Sequence, residues 1–237
     1  MQNFRIFIPA IIASVGLLAG CATTPISGSS NVSPSPLANV SPSPLGSAGP
    51  VEAALASLPV KGRAPKTGYD RDEFGSAWKD VDGNGCDTRN DILIRDLVER
   101  QMRDECVVLS GVLYPDPYTG EDVVFVRGKS VVDVDHVVSL GNAWVTGAAL
   151  WDRSKREAFA NDPLNLLAVS ARANRQKSDG DAATWLPSNG GFRCDLVALQ
   201  VAVKVKYGLW VTPAESEAML RVLDSCPGLM LPVEGVE

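Results

Sequence analysis

The chain holds one histidine in 237 residues, and it stands in Val131-Val132-Asp133-Val134-Asp135-His136-Val137-Val138. Extended backbone alternates its side chains. Asp133 and Asp135 therefore share a face and His136 takes the other, unless the strand ends at the histidine. Two asparagines follow at a distance, Asn165 in Asp162-Pro163-Leu164-Asn165-Leu166-Leu167 and Asn174 in Asn174-Arg175-Gln176-Lys177-Ser178-Asp179. A carboxylate, an imidazole and two amides in this order suit the hydrolysis of a phosphodiester around a single metal ion. That reaction needs a base to make water nucleophilic, and neutral imidazole is a ready base near neutrality. It also needs the charge on the phosphate and the leaving oxygen stabilised. Asp135 and Asn174 offer hard oxygen ligands suited to Mg2+ or Mn2+ rather than Zn2+. A carbonyl on the second imidazole nitrogen would fix the tautomer, and Asn165 is placed to contribute to that orientation.

Asp-Val-Asp-His, then Asn-Leu, then Asn-Arg-x-Lys-Ser-Asp resembles the HNH nuclease superfamily. The wider chain resembles secreted HNH proteins related to the C-terminal domain of GmrSD-type restriction endonucleases. The parts that carry this likeness are Tyr69-Asp70-Arg71 with Phe74-Gly75, Trp78, the block Asn84-Gly85-Cys86-Asp87-Thr88-Arg89-Asn90-Asp91 with Arg95-Asp96-Leu97, Asp135-His136, Asn165-Leu166, and Asn174-Arg175 with Lys177. The resemblance implies an α+β fold around a ββα-metal (His-Me finger) core, with added helices and a short antiparallel sheet. It implies His136 as general base, Asp135 and Asn174 as ligands of one Mg2+ or Mn2+ ion, and Asn165 as support for the histidine and its loop. Lys177 and Arg175 match basic positions near the scissile phosphate. The substrate implied is nucleic acid, DNA before RNA. The pattern reads Asp-His, Asn, Asn rather than His-Asn-His, which argues against a histidine-rich zinc site.

Each residue also has a plainer reading. An Asp-His pair is often only a hydrogen-bonded pair, and short motifs match by chance. Asn165 can cap a turn after Pro163, Asn174 can end a helix, and Lys177 and Arg175 can be solvated charges. What favours chemistry is the ordered set. The sequence also carries Asp80, Asp82 and Asn84 at alternate positions, followed by Gly85, which superficially matches a Ca2+ loop. Asp91 stands where glutamate belongs, and a turn pinned by a disulfide is the preferred reading.

The first twenty residues read as an export signal, with Arg5 ahead of an apolar run ending in Leu18-Ala19-Gly20-Cys21. That ending resembles a bacterial lipobox, which would make Cys21 the lipidated N-terminus on the extracytoplasmic side of the membrane. An ordinary cleaved secretory signal is the alternative. Residues 21–50 form a Ser/Pro-rich tether containing the repeat Asn31-Val32-Ser33-Pro34-Ser35-Pro36-Leu37 and Asn39-Val40-Ser41-Pro42-Ser43-Pro44-Leu45. At about 3 Å per residue it spans several nanometres. The resemblance implies a nuclease domain over residues 51–237, with its core at about 106–180. The remaining cysteines, Cys86, Cys106, Cys194 and Cys226, allow three pairings of two disulfides. Cys86–Cys106 and Cys194–Cys226 are favoured because each brackets one helical or two-helix segment. The formal charge of -6 counts against tight, non-specific nucleic-acid binding. A basic group (Arg153, Lys155, Arg156, Arg172, Arg175 and Lys177) offsets it locally. A non-catalytic envelope lipoprotein that binds nucleic acid or a protein partner through the same fold is the competing reading.

The elements that must position these residues follow from patterning. Residues 51–58 suit a short helix. Asn90 can cap a helix over 91–103. Strands are expected at 106–113, 122–127 and 130–137, with turns at 114–120 and 127–129, so that the third strand delivers Asp135 and His136. Helices are expected at 140–150 and 154–161, the latter stopped at Asp162-Pro163. A helix over 165–175 would close the metal motif. Helices at 192–207 and 213–223 read as scaffold.

Overall fold

A computed structural model describes residues 50–232. The signal, Cys21 and nearly all of the tether lie outside the described residues. The architecture is α+β, with helices arranged around two short antiparallel sheets. Among the described residues no helix is long and apolar enough to cross a membrane.

Helix α1 (Pro50–Ser57) packs through Val51 and Leu55 against α6 (Arg193–Tyr207) and α7 (Pro213–Leu223). Thr212 and Glu215 form a capping box that starts α7, and Gly208, in the left-handed region at φ 67°, ends α6. Lys204 and Glu215 pair at 2.9 Å with both side chains out of solvent. The same ammonium donates to Asn142 Oδ1 and the Trp210 carbonyl, so the buried charge is fully engaged. Disulfides join Cys86 to Cys106 and Cys194 to Cys226.

Helix α2 (Thr88–Asp96) departs from the sequence reading at both ends. Its cap is Asp87, whose carboxylate accepts from Asn90 N, rather than Asn90 itself. It stops seven residues short of the expected 103, because Leu97 turns into extended backbone and the apolar helical stripe ends there. The chain continues as β1 (Val98–Met102), an exposed edge strand carrying Glu99 and Arg100, which discourages pairing with other chains. β1 pairs with β2 (Val108–Leu113), and β2 with β3 (Val123–Val126).

The strand bearing Asp135 and His136, β4 (Val132–His136), does not continue this sheet. It pairs instead with β5 (Leu166–Ser170), with Asp135 opposite Leu167 and His136 opposite Leu166. Both strands are buried along most of their length, whereas β3 is half exposed, so β4 finds its apolar complement in β5. The expected helix over 165–175 is corrected accordingly. Its first half is this buried strand, since a short apolar run such as Leu-Leu-Ala-Val fits strand and helix equally by pattern. The helix itself is α5 (Ala171–Lys177). Between β4 and β5 lie α3 (Leu140–Val145), a 3-10 turn at Ala148–Leu150, α4 (Arg153–Ala160) and a second turn at Pro163–Asn165. Gly147, at φ 136°, breaks the single helix expected over 140–150.

Candidate active site

β4, β5 and α5 form a ββα unit, and β4 ends at His136. The strict alternation of faces therefore stops there. Asp135, His136 and Asn174 all line one polar cavity of about 340 Å3, whose wall also includes Arg71, Ser139, Arg175, Ser178 and Asp179. Asp133 lies on the same side as Asp135, where its carboxylate accepts a hydrogen bond from Asn174 Nδ2 at 3.2 Å. That bond fixes the flip of the amide and leaves Asn174 Oδ1 without a protein partner.

His136 is 8 % exposed. Its Nε2–H donates to the Ala160 carbonyl at 2.8 Å, so in the neutral ring Nδ1 is the nitrogen with a free lone pair. Burial drives the imidazole pKa from 6.5 down to about 4. The Ala160 carbonyl and Asp135 oppose this, and Arg71 and Lys177 add to it. The imidazole is thus neutral throughout the physiological range. Trp78 lies nearly parallel to the imidazole, at 6.4 Å between ring centroids.

Asp135 receives two hydrogen-bond donors on one oxygen. Tyr118 Oη donates to Oδ2 at 2.7 Å, and Lys177 Nζ approaches the same atom at 2.8 Å. Oδ1 takes no protein hydrogen bond. Two hard oxygens, Asp135 Oδ1 and Asn174 Oδ1, therefore stand uncommitted at one cavity, which fits a Mg2+ or Mn2+ ion better than a softer metal. Burial, with the charge of Asp135 beside it, pushes the Tyr118 hydroxyl well above its ordinary pKa, so it remains a donor.

Asn165 is fully buried. Its Oδ1 accepts from Val138 N at 2.9 Å, and Nδ2 reaches the carbonyls of Val138 and Phe159 at 3.4 Å. It ties the chain leaving His136 to the segment whose next carbonyl, that of Ala160, holds the imidazole. Asn165 braces the loop around the imidazole and does not line the cavity. Gln200 of α6 supports the same loop by donating to the Val137 carbonyl at 3.0 Å.

The basic residues divide differently from expectation. Lys177 is not poised at the mouth of the cavity. Its side chain is fully buried, and its ammonium bridges Asp135 and the His136 carbonyl, the latter at 2.8 Å. Arg175 lines the cavity and donates to Ser130 Oγ. Arg153, Lys155 and Arg156 sit on or beside α4 and do not line the cavity, with Arg156 paired to Glu73. Arg172 faces a neighbouring cavity beside Tyr118 and Trp185. The carboxylates of the loop at 80–86 are occupied by its own backbone. Asp80 accepts from Gly83 and Gly85, and Asp82 from Asn84. Among the described residues no group of three or more histidine, cysteine or acidic side chains gathers to hold an ion.

Four participants had no assigned role in the sequence reading. Tyr118 and Asp116 come from the turn after β2. Asp116, buried, accepts from Ser170 N at 2.8 Å, just ahead of α5. No spacing signal links this turn to Asp135. Arg71 and Trp78 come from the segment 69–79, which α4 holds in place. Phe74 packs between Trp144 and Phe159, Gly75 (φ 78°) lies where a Cβ would strike Glu157, and Asn161 Oδ1 accepts from Lys79 N at 2.9 Å.

A model of the family described as "GmrSD restriction endonucleases, C-terminal domain" matches residues 87–222. The chain belongs to this family. The GmrSD C-terminal stretch takes in α2, both sheets, the ββα unit and most of α7. Arg71 and Trp78 lie ahead of it. The chain is also 37 % identical over 177 residues to a protein from Arthroderma benhamiae titled "Uncharacterized secreted protein". That alignment covers 74 % of this chain and 84 % of the relative. No solved structure matches the chain.

Proposed function

We propose that this protein is an exported, metal-dependent HNH endonuclease that hydrolyses phosphodiester bonds of nucleic acid, DNA before RNA. The observation that carries the reading is the meeting of Asp135, Asn174 and a tautomerically fixed, neutral His136 on one cavity. His136 Nδ1 takes the proton from the attacking water. Asp135 and Asn174 would hold one Mg2+ or Mn2+ ion, which, when bound, stabilises charge on the phosphate and the leaving oxygen. Lys177 and Tyr118 fix the Asp135 carboxylate, and Asn165 fixes the strand end that presents the base. Arg175 stands on the cavity wall within reach of a phosphate backbone. Family membership supports the nuclease chemistry, and the secreted relative supports export. Tethering to the membrane through a lipid on Cys21, followed by the tether at 21–50 and the nuclease domain from 51, completes the proposal.

Plasmid nicking in Mg2+ or Mn2+ tests it, comparing wild type with His136→Ala. Loss of nicking in the variant is expected, and equal nicking by both would eliminate His136 as base. The acidic charge of -6 favours a second reading, a non-catalytic envelope module. Binding with a steep salt dependence and no cleavage would decide for it.

A further inference from the structure

Two cationic side chains line the polar cavity, Arg71 and Arg175. Arg175 is engaged with Ser130, and the nearby Lys177 and Lys66 are paired with Asp135 and Asp179. The guanidinium of Arg71 makes no hydrogen bond and no ion pair with any described residue. Its backbone is nonetheless firmly placed. It opens the 3-10 turn Arg71–Phe74, which Asp70 caps by accepting from Asp72 N and which Phe74 anchors in the core. Arg71 also lines a second, more apolar cavity of about 210 Å3 with Trp78, Phe74 and Leu140. His136 borders both spaces. The guanidinium is close enough for its charge to act on the imidazole.

A pinned stem with an unengaged planar cation, sharing one cavity with the imidazole and with the residues that carry two uncommitted oxygens, is suited to forked recognition of phosphate oxygens. We infer that Arg71 is the catalytic phosphate-binding residue of this site, holding the non-bridging oxygens of the scissile phosphate while His136 takes the water proton. The inference rests on the nuclease reading for its substrate. It moves the phosphate contact from Lys177, whose buried ammonium cannot reach a substrate, to a residue outside the family-matched stretch.

The test uses the protein with Arg71→Ala, Arg71→Lys and, as a control for loss of one distant charge, Arg103→Ala. Binding of a 30-base-pair duplex without metal is titrated against salt. The slope of log affinity on log salt should shallow by about one unit in Arg71→Ala and stay unchanged in Arg103→Ala. Single-turnover cleavage in Mg2+ should fall about 100-fold in Arg71→Ala, recover partly with added guanidinium ion, and be intermediate in Arg71→Lys. An unchanged slope with wild-type cleavage in Arg71→Ala, while His136→Ala is inactive, overturns the role of Arg71 and leaves the nuclease reading standing. If the wild type binds duplex but does not cleave, the nuclease reading falls and the slope alone decides the phosphate contact. If the wild type binds no duplex, both fall together.

Discussion

Lys177 Nζ lies 2.8 Å from Asp135 Oδ2 and 2.8 Å from the His136 carbonyl, and its side chain is closed off from solvent. One ammonium from the end of α5 thus clamps two consecutive residues of β4, Asp135 and His136, at the polar cavity. The ion pair fixes how the ββα unit closes on itself.

Removing the ammonium leaves the Asp135 carboxylate with Tyr118 alone. Lys177→Met is expected to cost about 3–5 kcal/mol of stability, the usual penalty for halving a buried pair. Lys177→Arg should not restore it, because a longer planar head does not fit the same space. Urea denaturation of the three proteins measures this. A Lys177→Met variant as stable as wild type would show that the clamp is dispensable.

Acidification should weaken the fold through His136. Its folded pKa of about 4 lies below the 6.5 of the open chain, so between these values the unfolded state binds more protons. Stability from this residue is complete above pH 6.5 and is lost as pH falls through 4, by about 3 kcal/mol in all. His136→Gln should remove that part of the pH dependence. With His136 as the proposed base, the acid limb of kcat/KM should fall near pH 4 rather than 6.5. A limb centred at 6.5 would place the base elsewhere.

Tyr118 donates to Asp135, the proposed metal ligand, and does not itself line the polar cavity. Tyr118→Phe keeps the ring packed against Trp185 but removes the donor to Asp135. The Mg2+ concentration for half-maximal nicking should rise about 10–100-fold, with the maximal rate less affected. Chelation by EDTA should abolish nicking in every variant, and Mg2+ or Mn2+ should restore it.

Asn165→Ala would leave Val138 N buried without its acceptor. A loss of about 1–3 kcal/mol is expected, with kcat reduced and KM little changed, since the residue positions the base and not the substrate. A titration of KM and kcat separates these outcomes.

The residues of the candidate site were more legible in the sequence than the ββα unit that holds them, which only the family resemblance implied. Asp135, His136, Asn165 and Asn174 were singled out by type and order, and three of the four meet at one cavity, with Asn165 behind them. The error over 165–175 had a physical source, because Leu166 to Val169 is short and apolar and carries no period that separates strand from helix. Pairing β4 with β3 failed for a related reason. Proximity in sequence favoured the hairpin, but complementary burial favoured β5. Lys177 was misjudged because a lysine near a phosphate site looks solvated until its carboxylate partner is seen. Tyr118 and Asp116 reach the site only through tertiary folding, so no spacing could have marked them, and Arg71 stood out only as part of the Tyr69-Asp70-Arg71 likeness, with no role attached.

The link between the two strands of the ββα unit is not a turn but an excursion through α3 and α4, which returns to supply both the Ala160 carbonyl and Asn165. Which imidazole nitrogen is left free is therefore decided by a segment whose anchoring groups, the Ala160 carbonyl and Asn165, do not line the polar cavity. Lengthening or shortening that segment would rotate the working end of the base while every motif letter stayed the same. Two chains with identical signatures could then differ in turnover solely through the geometry of their inserts.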